Sequence, residues 1–516
     1  MTSKESTEPD HELISADAAN DAAPPERRRL DLAALLVWLT VLVLGVGLVA
    51  GRAQLALPRY GWSLGPLPTH PYSLRMLALP VLIGAVLAAL LLAIGRFDHR
   101  PRRAAAVSVA LLVAGHLALS ITLDWGQGRS TWCGNAVATT WSEVSNGYFT
   151  AATQIDDLSA FLHDYAATQA ASGNKLSTHP PGAVLAYWLP LRLWQRSPLV
   201  KTFAEALLHW LVSGDGNDLY LMLIRFPSVP HLSGTLMAGA LWCVLSVALL
   251  GALTVIPVYL LGARFGGPRT GVVAAALFCL MPNSLYYVLS LDVVLMLFTA
   301  LALAAMAAGL DSERRALPWG VGAGIWLGAA LSVSLGALAS VALTVGLGVA
   351  MVIARRGDPR RLAVACAGLL VGLAAVLAIW QAAGVQVVPV VVNGLGAHRH
   401  GVAGTSGRPY FPWVVWNLVD YSLLVGLPVV VVAMAGLRRR GLVAPALAVA
   451  VVIVLLSLSG IVKAETERLW IFANPLLAAA AAVVAAERAG WYVTLASQPL
   501  WLLMTALSLP PLVRPW

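Results

Sequence analysis

The residues able to do chemistry gather in a few polar stretches between long apolar runs. The most constrained is Ser177–Thr178–His179–Pro180–Pro181–Gly182, followed by Ala-Val-Leu-Ala-Tyr-Trp. Two consecutive prolines fix the backbone and bar a helix from the residues before them. Pro181 suits the start of the helix that follows. His179 is therefore expected to be held rigidly at a helix start, where free backbone N–H groups can bind phosphate. A rigid turn with a bystander histidine is the plainer reading. The surrounding stretch, about 124–235, carries Asp124, Glu143, Asp156, Asp157 and Asp164 among aromatics such as Trp141, Tyr148, Tyr165 and Tyr187. Carboxylates beside aromatic rings suit a polar, ring-shaped ligand such as a sugar. An ordinary wet loop with interfacial aromatics has the same composition. Asp157, placed before Leu-Ser-Ala, reads as a helix N-cap. Glu143 and Asp156 have no such local role.

Three further groups qualify. Asp292 stands at the edge of an apolar run, where a carboxylate is expensive and often functional, although simple interfacial solvation also accounts for it. A second polar stretch holds His398, Arg399 and His400, then Arg408. A third reads Lys463–Ala464–Glu465–Thr466–Glu467–Arg468. Arginine and lysine bind phosphate through charge and forked hydrogen bonds. Snorkelling at a helix end is the alternative for Lys463 and Arg468. His398 and His400 lack a nearby carboxylate, so no metal-binding spacing is convincing. No cofactor is expected, and no nucleotide-binding loop occurs, which argues against ATP-driven transport.

Elements that could position these groups follow from composition. The chain has 516 residues, 59% hydrophobic and 11% charged, against about 25% charged in soluble domains. Apolar runs of about 18 residues or more are long enough to cross a bilayer. The expected class is an all-α polytopic membrane protein with about 13 transmembrane helices and one large extracytoplasmic loop carrying interfacial helices. The runs lie near 33–51, 75–95, 104–123, 236–262, 270–287, 290–309, 318–334, 337–354, 361–380, 416–436, 442–459, 468–486 and 491–510. The net charge of +9 sits in short arginine clusters between runs, the signature of membrane topology rather than of nucleic-acid binding. With thirteen crossings every dense cluster falls on the cytoplasmic side, from Arg27–Arg28–Arg29 to Arg438–Arg439–Arg440. The C-terminus is then extracytoplasmic. Residues 1–30 read as a disordered cytoplasmic tail, 31–123 as three transmembrane helices, 124–235 as the loop, 236–310 as a core, and 311–516 as the remaining helices. Gly182–Trp194 and 198–213 are too short to cross and are expected to lie at the interface.

The His179–Pro180–Pro181 element before an apolar helix resembles the first outer loop of GT-C glycosyltransferases, among them protein O-mannosyltransferases and lipid A aminoarabinose transferases. The likeness continues through Arg225–Phe226–Pro227–Ser228, a span ending Val258–Tyr259–Leu260–Leu261 before Arg264, a second ending Met281–Pro282–Asn283, and a third opened by Ser290–Leu291–Asp292. It covers roughly residues 120–310. The resemblance implies an inverting transferase that takes a sugar from a polyprenyl-phosphate donor and passes it to an extracytoplasmic glycan, lipid or protein; the heavy use of Ala, Val, Leu and Arg suggests the plasma membrane of a high-GC bacterium. The resemblance also implies a loop carboxylate as base or orienting group, with Glu143 and Asp156 the leading candidates and Asp157 third. Here the matching place reads Ser145–Asn146–Gly147–Tyr148–Phe149, without an acid. Two alternatives stay open: a transporter or flippase of a lipid-linked glycan, and an inactive scaffold of the same architecture.

Overall fold

The computed structural model describes residues 101–125, 133, 136, 137, 140, 147–212, 234–312, 314–404, 410–438, 443–463, 465–487 and 497–508. The expected runs near 33–51 and 75–95, the acidic tail, Glu143 and Arg408 lie outside the described residues. Every regular element among the described residues is helical. Seven stretches are long and apolar enough to cross a membrane, which gives the chain multi-pass membrane character. Leu370, Val371, Leu377 and Ile379 are exposed along one helix, and such an apolar face fits lipid rather than water.

Before the core stand α1 (Pro101–Trp125), α2 (Tyr148–Thr153), α3 (Leu158–Ala171), a 3-10 turn (Lys175–Thr178), α4 (Gly182–Arg196) and α5 (Pro198–Val212). Asp157 caps α3, accepting from the N–H of Ser159 at 2.8 Å and of Ala160 at 3.4 Å. The core begins with α6 (Gly234–Leu253) and α7 (Val255–Cys279). α7 doubles back at Gly267, where φ is 86°, a conformation glycine adopts freely. Gly271 then lies directly on the Tyr259 carbonyl. The run expected to reach 287 stops at Cys279, because Pro282 opens the short α8 (Pro282–Tyr286).

α9 (Asp292–Asp311) is central, with 83% of its apolar window buried. Around it come α10 (Ala316–Val333), α11 (Leu338–Ile353) and α12 (Pro359–Ala382). The run 318–354 is thus two helices, as expected. α10 meets α12 through Gly320, Gly324 and Gly328, spaced four apart. A methyl on Gly324 would sit 2.1 Å from the Leu369 carbonyl. Membrane helices associate through such small residues because lipid supplies no hydrophobic drive between them.

The rest of the chain forms α13 (Val387–Gly404), α14 (Tyr410–Val425), α15 (Leu427–Ala435), α16 (Ala444–Ser459), the single turn α17 (Thr466–Leu469), α18 (Asn474–Glu487) and α19 (Gln498–Ser508). Two findings differ from expectation. The stretch 381–415 contains α13, whose Asn393 donates to the Ala166 carbonyl of α3. The run 416–436 is no straight span: α14 and the helix that follows bend by 108° at Gly426, where φ is 112°. Gln498 Nε2 donates to the freed Val425 carbonyl at 3.0 Å and to Leu280 at 3.1 Å, supplying the partner a broken helix needs in lipid.

Contacts define two ends. Arg264 pairs with Asp311, Arg356 donates to the Phe265 carbonyl, and Arg361 donates to that of Leu310. These groups mark an arginine-rich end. At the opposite end lie α8, the start of α9 and the turn α17.

Candidate functional site

At that opposite end the structure joins residues far apart in the chain. Asp292 opens α9, where the helix dipole favours an anion. Ser290 fixes it: its hydroxyl donates to Asp292 Oδ2 at 2.5 Å and accepts the Asp292 N–H at 3.2 Å. Arg468 Nε lies 3.7 Å from Asp292 Oδ2, and Arg468 Nη2 lies 2.7 Å from Glu465 Oε2. Glu465 sits at φ 58°, the left-handed region that few non-glycine residues enter. That turn is held from below. Asn283 Nδ2 donates to the Glu467 carbonyl at 3.0 Å, Asn474 to Asn283 Oδ1 at 2.8 Å, and Tyr421 to Asn474 Oδ1 at 3.0 Å. Thr466 donates to the Asn417 carbonyl and to Asp420. Tyr287 donates to Glu467 Oε1. Burial and the Glu467 carboxylate push the Tyr287 hydroxyl well above its ordinary value.

The second half of the site is the 3-10 turn. Asn174 caps it by accepting the Leu176 N–H at 2.9 Å. Gly147, at φ 68°, lies so near the Asn174 side chain that a methyl there would clash at 2.5 Å. Tyr148 is thereby set edge-on to the His179 ring, centroids 5.2 Å apart, and stacked on Tyr187 at 6.4 Å. The His179 carbonyl accepts from Tyr165 at 2.8 Å and Gln169 at 3.2 Å. Gly182 then rests against the Ser332 carbonyl at the end of α10.

The halves meet electrostatically. Lys175 is lowered to about 8, first by burial and then by Arg468, while Asp292 and Glu465 oppose. Burial also lowers His179 to about 4, opposed by its hydrogen bond to the Lys175 backbone and by Asp292. Tyr148 is pushed well above its usual value, first by burial and then by Asp292.

Of the residues singled out from sequence, Asp292, His179 and Arg468 come together. Asp156 and Asp157 are exposed, and neither is among the charges acting on Tyr148, Lys175 or His179. Asp157 is committed as a cap. Arg399 is exposed on α13, the helix that also carries His400, and Lys463 is half-buried ahead of α17. Sequence reasoning missed Lys175 and Asp420, and it named Glu465 and Glu467 in the third polar stretch without giving either a role. The four-residue spacing of Lys175 and His179 was the available signal for the first. Among the described residues no group of three metal-ligating side chains occurs.

No protein-family model matches the chain, and a search of the curated proteins finds no match.

Proposed function

We propose that this chain is a membrane glycosyltransferase of GT-C type. It transfers a sugar from a polyprenyl-phosphate donor to an extracytoplasmic acceptor at a bacterial plasma membrane. The observation that carries the reading is the meeting of Lys175, His179, Asp292 and Arg468 at the end of the bundle opposite the arginine clusters. A lipid-linked phosphate stays at the membrane surface while its chain is buried, so cations are needed at that level. Lys175 and Arg468 bind the phosphate and stabilise the charge that grows on it as the sugar departs. Asp292 orients Arg468. Thirteen crossings with the arginine clusters cytoplasmic is the topology that belongs to this reading.

A second reading has one observation behind it. The bend at Gly426 breaks a helix that carries Asn417 and Asp420, and broken helices with polar groups are a transporter feature. A flippase for a lipid-linked glycan would move its cargo with every bond intact. The purified protein, supplied with labelled polyprenyl-phosphate sugars and envelope acceptors, separates the two. Transfer of label to an acceptor with release of polyprenyl phosphate is expected. Donor crossing liposomes unchanged, with no transfer to any acceptor, would sink the transferase reading.

A further inference from the structure

The Nδ1 atom of His179 lies 2.9 Å from the Lys175 carbonyl oxygen and 2.8 Å from Thr178 Oγ1. A carbonyl oxygen only accepts, so the hydrogen must be on Nδ1. The Thr178 hydroxyl sends its own hydrogen to the same Lys175 carbonyl, at 2.9 Å. That leaves its oxygen free to accept a share of the Nδ1 hydrogen. With one hydrogen on Nδ1, the neutral ring has a bare Nε2. Among the described residues Nε2 has no hydrogen-bond partner. The ring cannot easily turn over, because a half-turn would put the carbon Cδ2 where Nδ1 stands and lose both of its contacts. The backbone beneath it is pinned by Tyr165, Gln169 and two prolines.

We infer that His179 is the proton acceptor of this site, taking a hydroxyl hydrogen of the acceptor substrate at Nε2 rather than binding the donor phosphate. The assignment rests on the glycosyl-transfer reading for its substrate and on hydrogen-bond geometry for its tautomer. A bare nitrogen lone pair repels a phosphate oxygen and attracts an O–H, so the phosphate falls to Lys175 and Arg468. In the step, the acceptor oxygen attacks the anomeric carbon and its hydrogen passes to Nε2. The bond from the anomeric carbon to the phosphate oxygen breaks, and its electron pair stays on the phosphate. The imidazolium so formed is stabilised by Asp292 and later gives its proton to water.

Burial holds the ring neutral, at about 4, which is the ordinary range of a carboxylate. Nε2 thus has the proton affinity of a carboxylate without its negative charge. This accounts for a site whose Ser145–Asn146–Gly147–Tyr148–Phe149 segment carries no acid. Among the described residues, the titratable groups facing the ring are Lys175 on its own turn, Asp292 from α9, Arg468 from α17 and Tyr148 from α2, while Tyr165 from α3 holds the His179 carbonyl.

Two measurements on the purified full chain test this. NMR of isotope-labelled histidine, with His179→Gln to assign the signal, reads the tautomer without any assay of activity. A protonated Nδ1 and bare Nε2 at neutral pH are expected; hydrogen on Nε2 overturns the inference whatever the transfer assay gives. In the transfer assay at saturating donor, His179→Gln, which accepts a hydrogen bond but takes no proton, is expected to lower kcat about a hundred-fold. Its KM for donor should stay near wild type. On the acid side, wild-type kcat should fall as pH drops toward about 4, not near 6.5. A folded His179→Gln protein at wild-type rate, with the loss found in Glu143→Gln instead, overturns it. A wild type that transfers nothing sinks the transferase reading and this role with it, while the nitrogen signals still decide the tautomer separately.

Discussion

Each end of the bundle carries an arginine–aspartate pair, and the closer pair is the less consequential one. Arg264 and Asp311 approach to 3.1 Å with side chains 30% and 42% exposed, whereas Arg468 and Asp292 stand 3.7 Å apart with 13% and 22% exposed. Solvent screens the first pair, and exposed pairs contribute little. Its neighbours Arg356 and Arg361 close helix ends by donating to the Phe265 and Leu310 carbonyls, the use expected of cations near helix C-termini. At the other end one guanidinium is divided between two carboxylates, Asp292 and Glu465. A second cation, a neutral imidazole and stacked tyrosines join them. What separates a structural charge from a candidate functional one here is how many unlike groups the fold brings around it, and how far they are from water. Separation within the ion pair does not distinguish them.

The sharpest way to break the comparison is to remove one arginine from each end. Arg468→Ala is expected to cost roughly 1.5–3 kcal/mol of donor binding, the worth of a charge-assisted contact. That corresponds to about a ten- to hundred-fold rise in Kd for a polyprenyl-phosphate sugar. Arg264→Ala should leave Kd unchanged. Equal affinities for the two folded variants would remove the distinction between the ends.

A smaller effect sharpens it through pH. Lys175 is held down to about 8, so its ammonium loses its proton as pH rises through that value. A lysine is the charged form below its pKa, so donor affinity should be full near pH 7 and weaken several-fold by about pH 9, following the fraction of Lys175 still protonated. Lys175→Arg should flatten the profile, since a guanidinium stays charged throughout. A wild-type profile already flat from pH 7 to 9 would take Lys175 out of phosphate binding.

How much of this could be read in the sequence depends on the range of the interaction that wrote it. The long apolar helices α9, α10, α11 and α12 fall within a few residues of the apolar runs, because the length of an apolar run is a local property of the sequence. The break at Gly426 was hidden, because it depends on Gln498, distant in the chain, reaching the Val425 carbonyl. Asp292, His179 and Arg468 were each visible alone as polar residues beside apolar runs. Their meeting was not, since it depends on how α9, the 3-10 turn and α17 pack. Lys175 was missed for the same reason: one lysine in a polar loop becomes notable only when the turn lays its carbonyl under the His179 ring. Glu465 was legible as an acid, but not as a left-handed residue whose carboxylate turns back onto Arg468.

Asp157 gives the smallest expected effect and isolates a single link. Read from sequence it was both a cap and the third candidate base. In the structure its Oδ1 accepts two backbone hydrogens at the start of α3. A cap holds free N–H groups that no earlier turn can satisfy, and removing it typically costs about 1 kcal/mol. Asparagine caps about as well as aspartate but cannot take a proton at neutral pH. Asp157→Ala should therefore lower the unfolding free energy by about 1 kcal/mol, and Asp157→Asn should not. Neither should change kcat, because Asp157 is not among the charges acting on His179 or Lys175. The discriminating result is a folded Asp157→Asn protein that has lost transfer. That outcome would move the proton acceptor from the 3-10 turn to the start of α3, and the group of residues around Asp292 would then bind donor without carrying the base.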